Sequence, residues 1–165
     1  MEYKDNVIDY LDFVKKMKTK GLIESEVDKT SSVWNNLVID VRFLKGLYKV
    51  YRPNMKFLEL GCGVGNVIRF ARNIGYNCIG YEINFNLIKD LGDNDIKLFD
   101  IRNLSKIEYE NSDIIYCYRP IKDGYDEYIK NIISYMKKGS ILMTPMSFQK
   151  DDNLKMIDLF MYEKI

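Results

Sequence analysis

The chain has 165 residues, 47% of them hydrophobic, which suits one domain with a sizeable core. Its 25 basic and 24 acidic residues leave a net charge of +1, so bulk charge gives no reason to expect a nucleic-acid partner, although a local basic patch stays open. Histidine is absent, which removes the commonest general base and the commonest metal ligand.

No apolar run approaches the roughly 18 residues of a membrane span, and Met1-Glu2-Tyr3-Lys4-Asp5 does not open a signal peptide. The cysteines, Cys62, Cys78 and Cys117, lie in or beside apolar runs and have no metal-ligand spacing. An odd count argues against a disulfide framework, so reduced thiols and a cytoplasmic location are expected.

In chain order, Val7, Ile8, Leu11, Val14 and Met17 recur at helical spacing, and lysines precede a stop at Gly21. Thr30, Ser31 and Ser32 offer N-caps for a second helix with Val33, Leu37, Val41, Leu44 and Leu47 inward, ended by Arg52-Pro53. Residues 1–52 are therefore expected to form a helical cap of the same domain that residues 53–165 build.

From Met55 the pattern becomes short apolar runs between helices and turns. Lys56-Phe57-Leu58-Glu59-Leu60 reads as a buried strand, followed by Gly61, Gly63 and Gly65 and then a helix whose inner face carries Val67, Ile68, Phe70 and Ala71. Glycines let a backbone turn sharply and approach a ligand, and a helix start presents free N–H donors. A dinucleotide fingerprint would need G-x-G-x-x-G, but here the third glycine comes one residue early and Asn66 takes its place. Glu59 would repel a pyrophosphate and attract an ammonium group.

Asn77–Glu82, Ile96–Asp100, Asp113–Tyr118 and Ser140–Pro145 read as further strands, with helices over 83–89 and 125–138. Strands alternating with helices imply right-handed crossovers and an α/β doubly wound sheet. Acids end the first three strands: Glu59, Glu82 and Asp100.

The pattern E-x-G-x-G-x-G after the first strand resembles the first motif of class I, Rossmann-like, S-adenosylmethionine-dependent methyltransferases. The resemblance covers roughly residues 55–145. It implies S-adenosylmethionine as cofactor, held at Glu59, Gly61, Cys62, Gly63, Gly65, Glu82, Ile83, Asp100, Ile101 and Tyr116. Glu82 would then accept from the ribose hydroxyls, Asp100 from the adenine amino group, and Glu59 would attract the methionine ammonium. The resemblance also implies strand order 3-2-1-4-5. Twenty residues follow Pro145, too few for the family's last helix and hairpin, so a single antiparallel edge strand over Lys155–Ile165 is expected.

In the family the end of the fourth strand faces the methyl acceptor, which places Tyr118 and Arg119 as catalytic candidates. Base-modifying members often carry a Pro-Pro motif here, whereas this chain has Tyr118-Arg119-Pro120. Core packing is the commoner reading of Tyr116. If a base is needed, Asp123, Tyr118 and solvent are open. The acceptor is open among a protein amine, nucleic acid and a small metabolite. A non-catalytic scaffold or partner subunit on the same fold is the rival reading, and a nicotinamide enzyme is further off. No membrane partner is expected, and the edge strand and the tyrosine-rich surface are compatible with a homodimer.

Overall fold

A computed structural model describes residues 41–118 and 120–165. The first expected helix, the start of the second and Arg119 lie outside the described residues. Helix α1 is Val41–Val50, β1 Lys56–Leu60, α2 Asn66–Ile74, β2 Asn77–Glu82 and α3 Phe85–Ile88. Strand β3 is Ile96–Leu98, followed by a 3-10 turn at Ile101–Asn103, α4 Lys106–Glu110, β4 Ile114–Cys117 and α5 Tyr125–Tyr135. The chain finishes with β5 Ile141–Met143, β6 Leu154–Asp158 and β7 Met161–Lys164.

The strands form one seven-stranded sheet in the order β3-β2-β1-β4-β5-β7-β6. The first five are parallel, while β7 pairs antiparallel with β5 and β6 with β7. Central strands covered on both faces call for apolar side chains, which explains the unbroken run in β4 and makes Glu59 the exception in the buried part of β1. Side chains alternate between faces. Phe57, Ile114, Tyr116, Ile141 and Met143 pack on the side where Leu47 and Val50 of α1 and Phe70 and Ala71 of α2 lie. Leu58, Leu60, Ile115, Cys117 and Leu142 pack on the other, against Tyr109 of α4 and Ile129, Ile132 and Ile133 of α5.

Helix α1 lies close to the antiparallel end of the sheet. A Cβ at Gly46 would collide with Met161 Sδ, and Tyr76 donates its hydroxyl to the Leu47 carbonyl at 2.7 Å.

The tail differs from the single strand expected over Lys155–Ile165. It is a hairpin, in which Asp158 pairs with Met161 across the turn Leu159-Phe160, with a bulge between Met156 and Asp158. Phe160 holds φ 60°, a conformation that ordinarily calls for glycine or asparagine, so the sequence carries no conventional turn signal there. No helix stands between β5 and β6. Dispensing with it leaves room for both strands. The β3, β4 and β5 boundaries are each tighter than expected, and the short helix α4 stands between β3 and β4.

Candidate functional site

The sheet reverses direction of winding between β1 and β4, and in open α/β sheets ligands lie beyond the carboxyl ends of the strands at that point. A cavity of about 770 Å³ opens there. Its walls include Glu59, Gly61, Cys62 and Gly63 from β1 and the following turn, Glu82 and Ile83 from the end of β2, Asp100 and Ile101 after β3, and Tyr116 and Tyr118 from β4. Of the residues the sequence nominated for the cofactor, Gly65 alone is not in the wall.

The glycine turn is tied to β2. The N–H groups of Gly61 and Cys62 both donate to the Tyr81 carbonyl, at 2.9 and 3.0 Å. Gly63 N–H donates to Glu82 Oε2 at 2.9 Å, and Asn84 N–H donates to Glu82 Oε1 at 2.9 Å. Glu82 therefore clamps the turn through one oxygen and starts α3 through the other, keeping further lone pairs for a ligand. At Gly63, φ is +52° and a Cβ would meet nothing within 4 Å among the described residues, so this backbone faces the cavity. At Gly65, φ is +78° and a Cβ would fall on Ile96 Cδ1. Gly65 thus serves the packing of the turn on β3, a reason that lies far away in sequence.

Glu59 is 4% exposed, and its Oε2 has no hydrogen-bond partner among the described residues. Burial pushes its carboxyl well above the usual range, and the Glu82 charge adds to the push. A backbone hydrogen bond from Ile68 and the charge of Arg69 oppose it.

Asp100 is committed locally. It caps the 3-10 turn by accepting from Arg102 N–H at 3.0 Å, and the Arg102 guanidinium Nε approaches both carboxylate oxygens at 2.9 and 3.0 Å. These hydrogen bonds hold its carboxyl below the ordinary value. Sequence reading did not find Arg102, although an arginine two residues after an N-capping acid is well placed to fold back onto it.

Tyr116 is both core and wall. It is 6% exposed, its ring stacks toward Phe57 at 6.4 Å, and it lines the cavity. Burial raises its hydroxyl pKa. Tyr118 is half-buried in the wall, with Pro120, Lys122 and Asp123 continuing along the loop before α5. Burial likewise raises the Cys62 thiol, which argues against a thiolate nucleophile in the turn. Further wall residues that the sequence did not nominate are Asn84, Leu87 and Phe99. Phe99 is 40% exposed and tilts against Tyr81 at 5.8 Å, so an aromatic directly before the β3 acid was the available signal. Among the described residues no group of histidine, cysteine, aspartate or glutamate could hold a metal ion, and no helix is long and apolar enough to cross a membrane.

A glycine turn at the switch point of a doubly wound sheet, with buried acids ending β1 and β2, defines an α/β protein built to hold a nucleoside-like ligand. The sequence pattern of the family described as "Methyltransferase domain" matches residues 41–164, and the chain belongs to that family. No curated protein sequence matches it. Among solved structures it is similar to TehB from Haemophilus influenzae, with 23% identity and a TM-score of 0.54 over 72% of this chain and 44% of that one. It is also similar to a precorrin-6y C5,15-methyltransferase from Geobacter metallireducens GS-15, with 15% identity and a TM-score of 0.53 over 74% and 71%. A third is the plantazolicin methyltransferase BpumL, solved with a pentazolic desmethylPZN analogue and SAH, with 15% identity and a TM-score of 0.53 over 82% and 55%. At such identities the likeness is one of fold. The chain spans about half the length of several of the structures it matches.

Proposed function

We propose that this chain is an S-adenosylmethionine-dependent methyltransferase whose cofactor lies in the cavity at the β1–β4 switch point. The observation that carries the reading is the meeting there of open backbone at Gly63, a clamped carboxylate at Glu82 and a buried, half-unpartnered carboxyl at Glu59. Those features fit the group. Glu59 offers a buried acceptor to an ammonium, Glu82 offers lone pairs to a vicinal diol, and Ile83 and Ile101 offer apolar contact to a purine. Asp100 would accept from the adenine amino group by sharing its oxygens with Arg102, and Gly61, Cys62 and Gly63 would supply backbone. Gly65 would act indirectly, by holding the turn on β3.

When bound, the cofactor supplies an electrophilic methyl group on a sulfonium. The chain's contribution is alignment and exclusion of water. Tyr116 would wall the reacting end, Tyr118 would present a ring or hydroxyl to a cation or incoming nucleophile, and Arg119 would pair with an anion on the acceptor. Asp123, at the cavity wall, is positioned to take a proton if the acceptor must lose one. The acceptor classes remain a protein amine, nucleic acid and a small metabolite, and a cytoplasmic location with free thiols belongs to the same proposal.

One observation favours the rival reading of a non-catalytic scaffold: the Asp100 carboxylate is already engaged by Arg102. Incubation with methyl-labelled S-adenosylmethionine and an extract split into protein, nucleic-acid and small-molecule fractions separates the two. Label in one fraction, lost in Tyr118→Phe or Arg119→Ala, supports transfer and names the acceptor class. No incorporation anywhere, with the cofactor demonstrably bound, supports the scaffold.

A further inference from the structure

We propose that Glu59 is a charge-exchange residue that sets specificity: it lines the free cavity as a neutral carboxylic acid and gives up its proton to solvent when a ligand places an ammonium group against it. The inference rests on the cofactor reading above and deepens it.

The geometry is that of an acid enclosed without a counter-ion among the described residues. Glu59 is faced by Cys62 from the glycine turn, Arg69 and the Ile68 N–H from α2, Cys78 and Glu82 from β2 and Tyr116 from β4. Ile68 gives it one backbone hydrogen bond, and Oε2 has none among the described residues. Arg69 faces it, yet its guanidinium is held elsewhere: Nη1 donates to the Val64 carbonyl at 2.7 Å and Nη2 to Asn66 Oδ1 at 2.5 Å. No ion pair joins Glu59 to Arg69 among the described residues. Glu82, by contrast, has two backbone donors. A buried charge with one donor and a like charge beside it is the arrangement in which a carboxyl retains its proton. Cys62 and Tyr116 stay protonated under the same burial and bring no balancing charge.

An ammonium reverses that balance, because it supplies the absent counter-charge and donates to the unpartnered oxygen. In the exchange, the neutral Glu59 carboxylic acid and the ligand's ammonium become a carboxylate–ammonium ion pair, and one proton leaves the Glu59 carboxyl for solvent. No bond to carbon changes and nothing is oxidised. Affinity for amine-bearing ligands therefore rises with pH, by up to about tenfold per unit, until Glu59 of the free protein has ionised. A ligand without the amine shows no such slope. Glu59 thereby discriminates for the amino-acid end of a ligand, while Glu82 and the glycine turn serve its nucleoside end.

The test is calorimetric titration of the full chain at about pH 7, where an α-amino group is still charged, in two buffers of different ionisation enthalpy. The probes are S-adenosylhomocysteine and methylthioadenosine, which keeps the nucleoside and thioether and lacks the amino acid. The expected result is net proton release, at most one per ligand bound, with S-adenosylhomocysteine, none with methylthioadenosine, and none with either probe in Glu59→Gln. Binding of S-adenosylhomocysteine with the same enthalpy in both buffers overturns the exchange and leaves the cofactor reading standing. Failure of the folded chain to bind either nucleoside overturns both. If Glu59→Gln does not fold, the comparison of the two probes decides alone.

Discussion

Replacing Glu82 with glutamine should separate the two tasks assigned to that side chain. In the native chain each carboxylate oxygen accepts a backbone N–H, from Gly63 and from Asn84, both at 2.9 Å. Glutamine keeps one acceptor and turns an amide nitrogen toward the other donor. One backbone N–H in a site 8% exposed is then left without a partner, which costs about 1–3 kcal/mol. For a chain of this size that loss lowers Tm by roughly 2–10 °C. Ligand affinity should fall further. Hydrogen bonds to a charged group contribute about 1.5–3 kcal/mol each, so losing one ribose hydroxyl contact weakens binding roughly 10- to 150-fold. The assay is thermal denaturation without ligand, followed by titration with S-adenosylhomocysteine at a temperature where both proteins are folded. A variant with unchanged Tm and unchanged affinity would refute the clamp and the diol contact together. Reduced Tm with native affinity would refute the contact alone.

Three further outcomes are expected. The Glu59 carboxyl has its pKa raised by burial, so the folded chain holds a proton that the unfolded chain releases above about pH 4.5. Its contribution to stability is complete below that pH and is lost as pH rises through the folded value, at up to about 1.4 kcal/mol per pH unit. Glu59→Gln should flatten that part of the profile and denature later than the native chain at the alkaline end; superimposable profiles would contradict it. Gly65→Ala should lose about 1–2 kcal/mol from the left-handed φ of +78°, plus whatever the displacement of Ile96 adds, seen as a lower urea midpoint, whereas an unchanged midpoint would show that the turn adapts freely. Arg102→Ala should move the Asp100 carboxyl upward toward its ordinary value in a carbon-13 NMR titration, because the guanidinium hydrogen bond is the chief cause of its depression, while the turn persists on the backbone N–H of residue 102. No movement would mean that the ion pair is absent in solution.

The parts legible in the sequence were those whose cause is local. The β1 run, the positive-φ glycines and the acids closing β1 and β2 announce themselves because periodicity and backbone freedom act within a few residues. The covered central strands follow from the same runs. What escaped depended on distant or atypical partners. Gly65 reads as a ligand glycine until Ile96 is seen beside it. The β6–β7 turn places Phe160, not glycine, in the left-handed region, so the sequence pattern of the hairpin is that of one strand. Helix α4 carries a local cue: Ser105 caps it by accepting from Ile107 N–H at 3.4 Å, with Glu108 in the first turn. The place of Asp100 in the cavity wall follows from its position after β3, but its engagement by Arg102 depends on a side chain folding back across an exposed turn.

The central claim is that the cavity between the glycine turn and the ends of β2 and β4 holds S-adenosylmethionine. Equilibrium titration of the purified chain with S-adenosylmethionine tests it most directly, with NAD as the control ligand and Gly63→Val as the control protein. Valine at Gly63 fills the open space beside the turn and strains its φ of +52°. Saturable one-site binding of S-adenosylmethionine, no binding of NAD and no binding by a folded Gly63→Val variant is the predicted result. Native protein that folds normally and binds neither ligand, or that binds S-adenosylmethionine equally well with valine at position 63, would contradict the account.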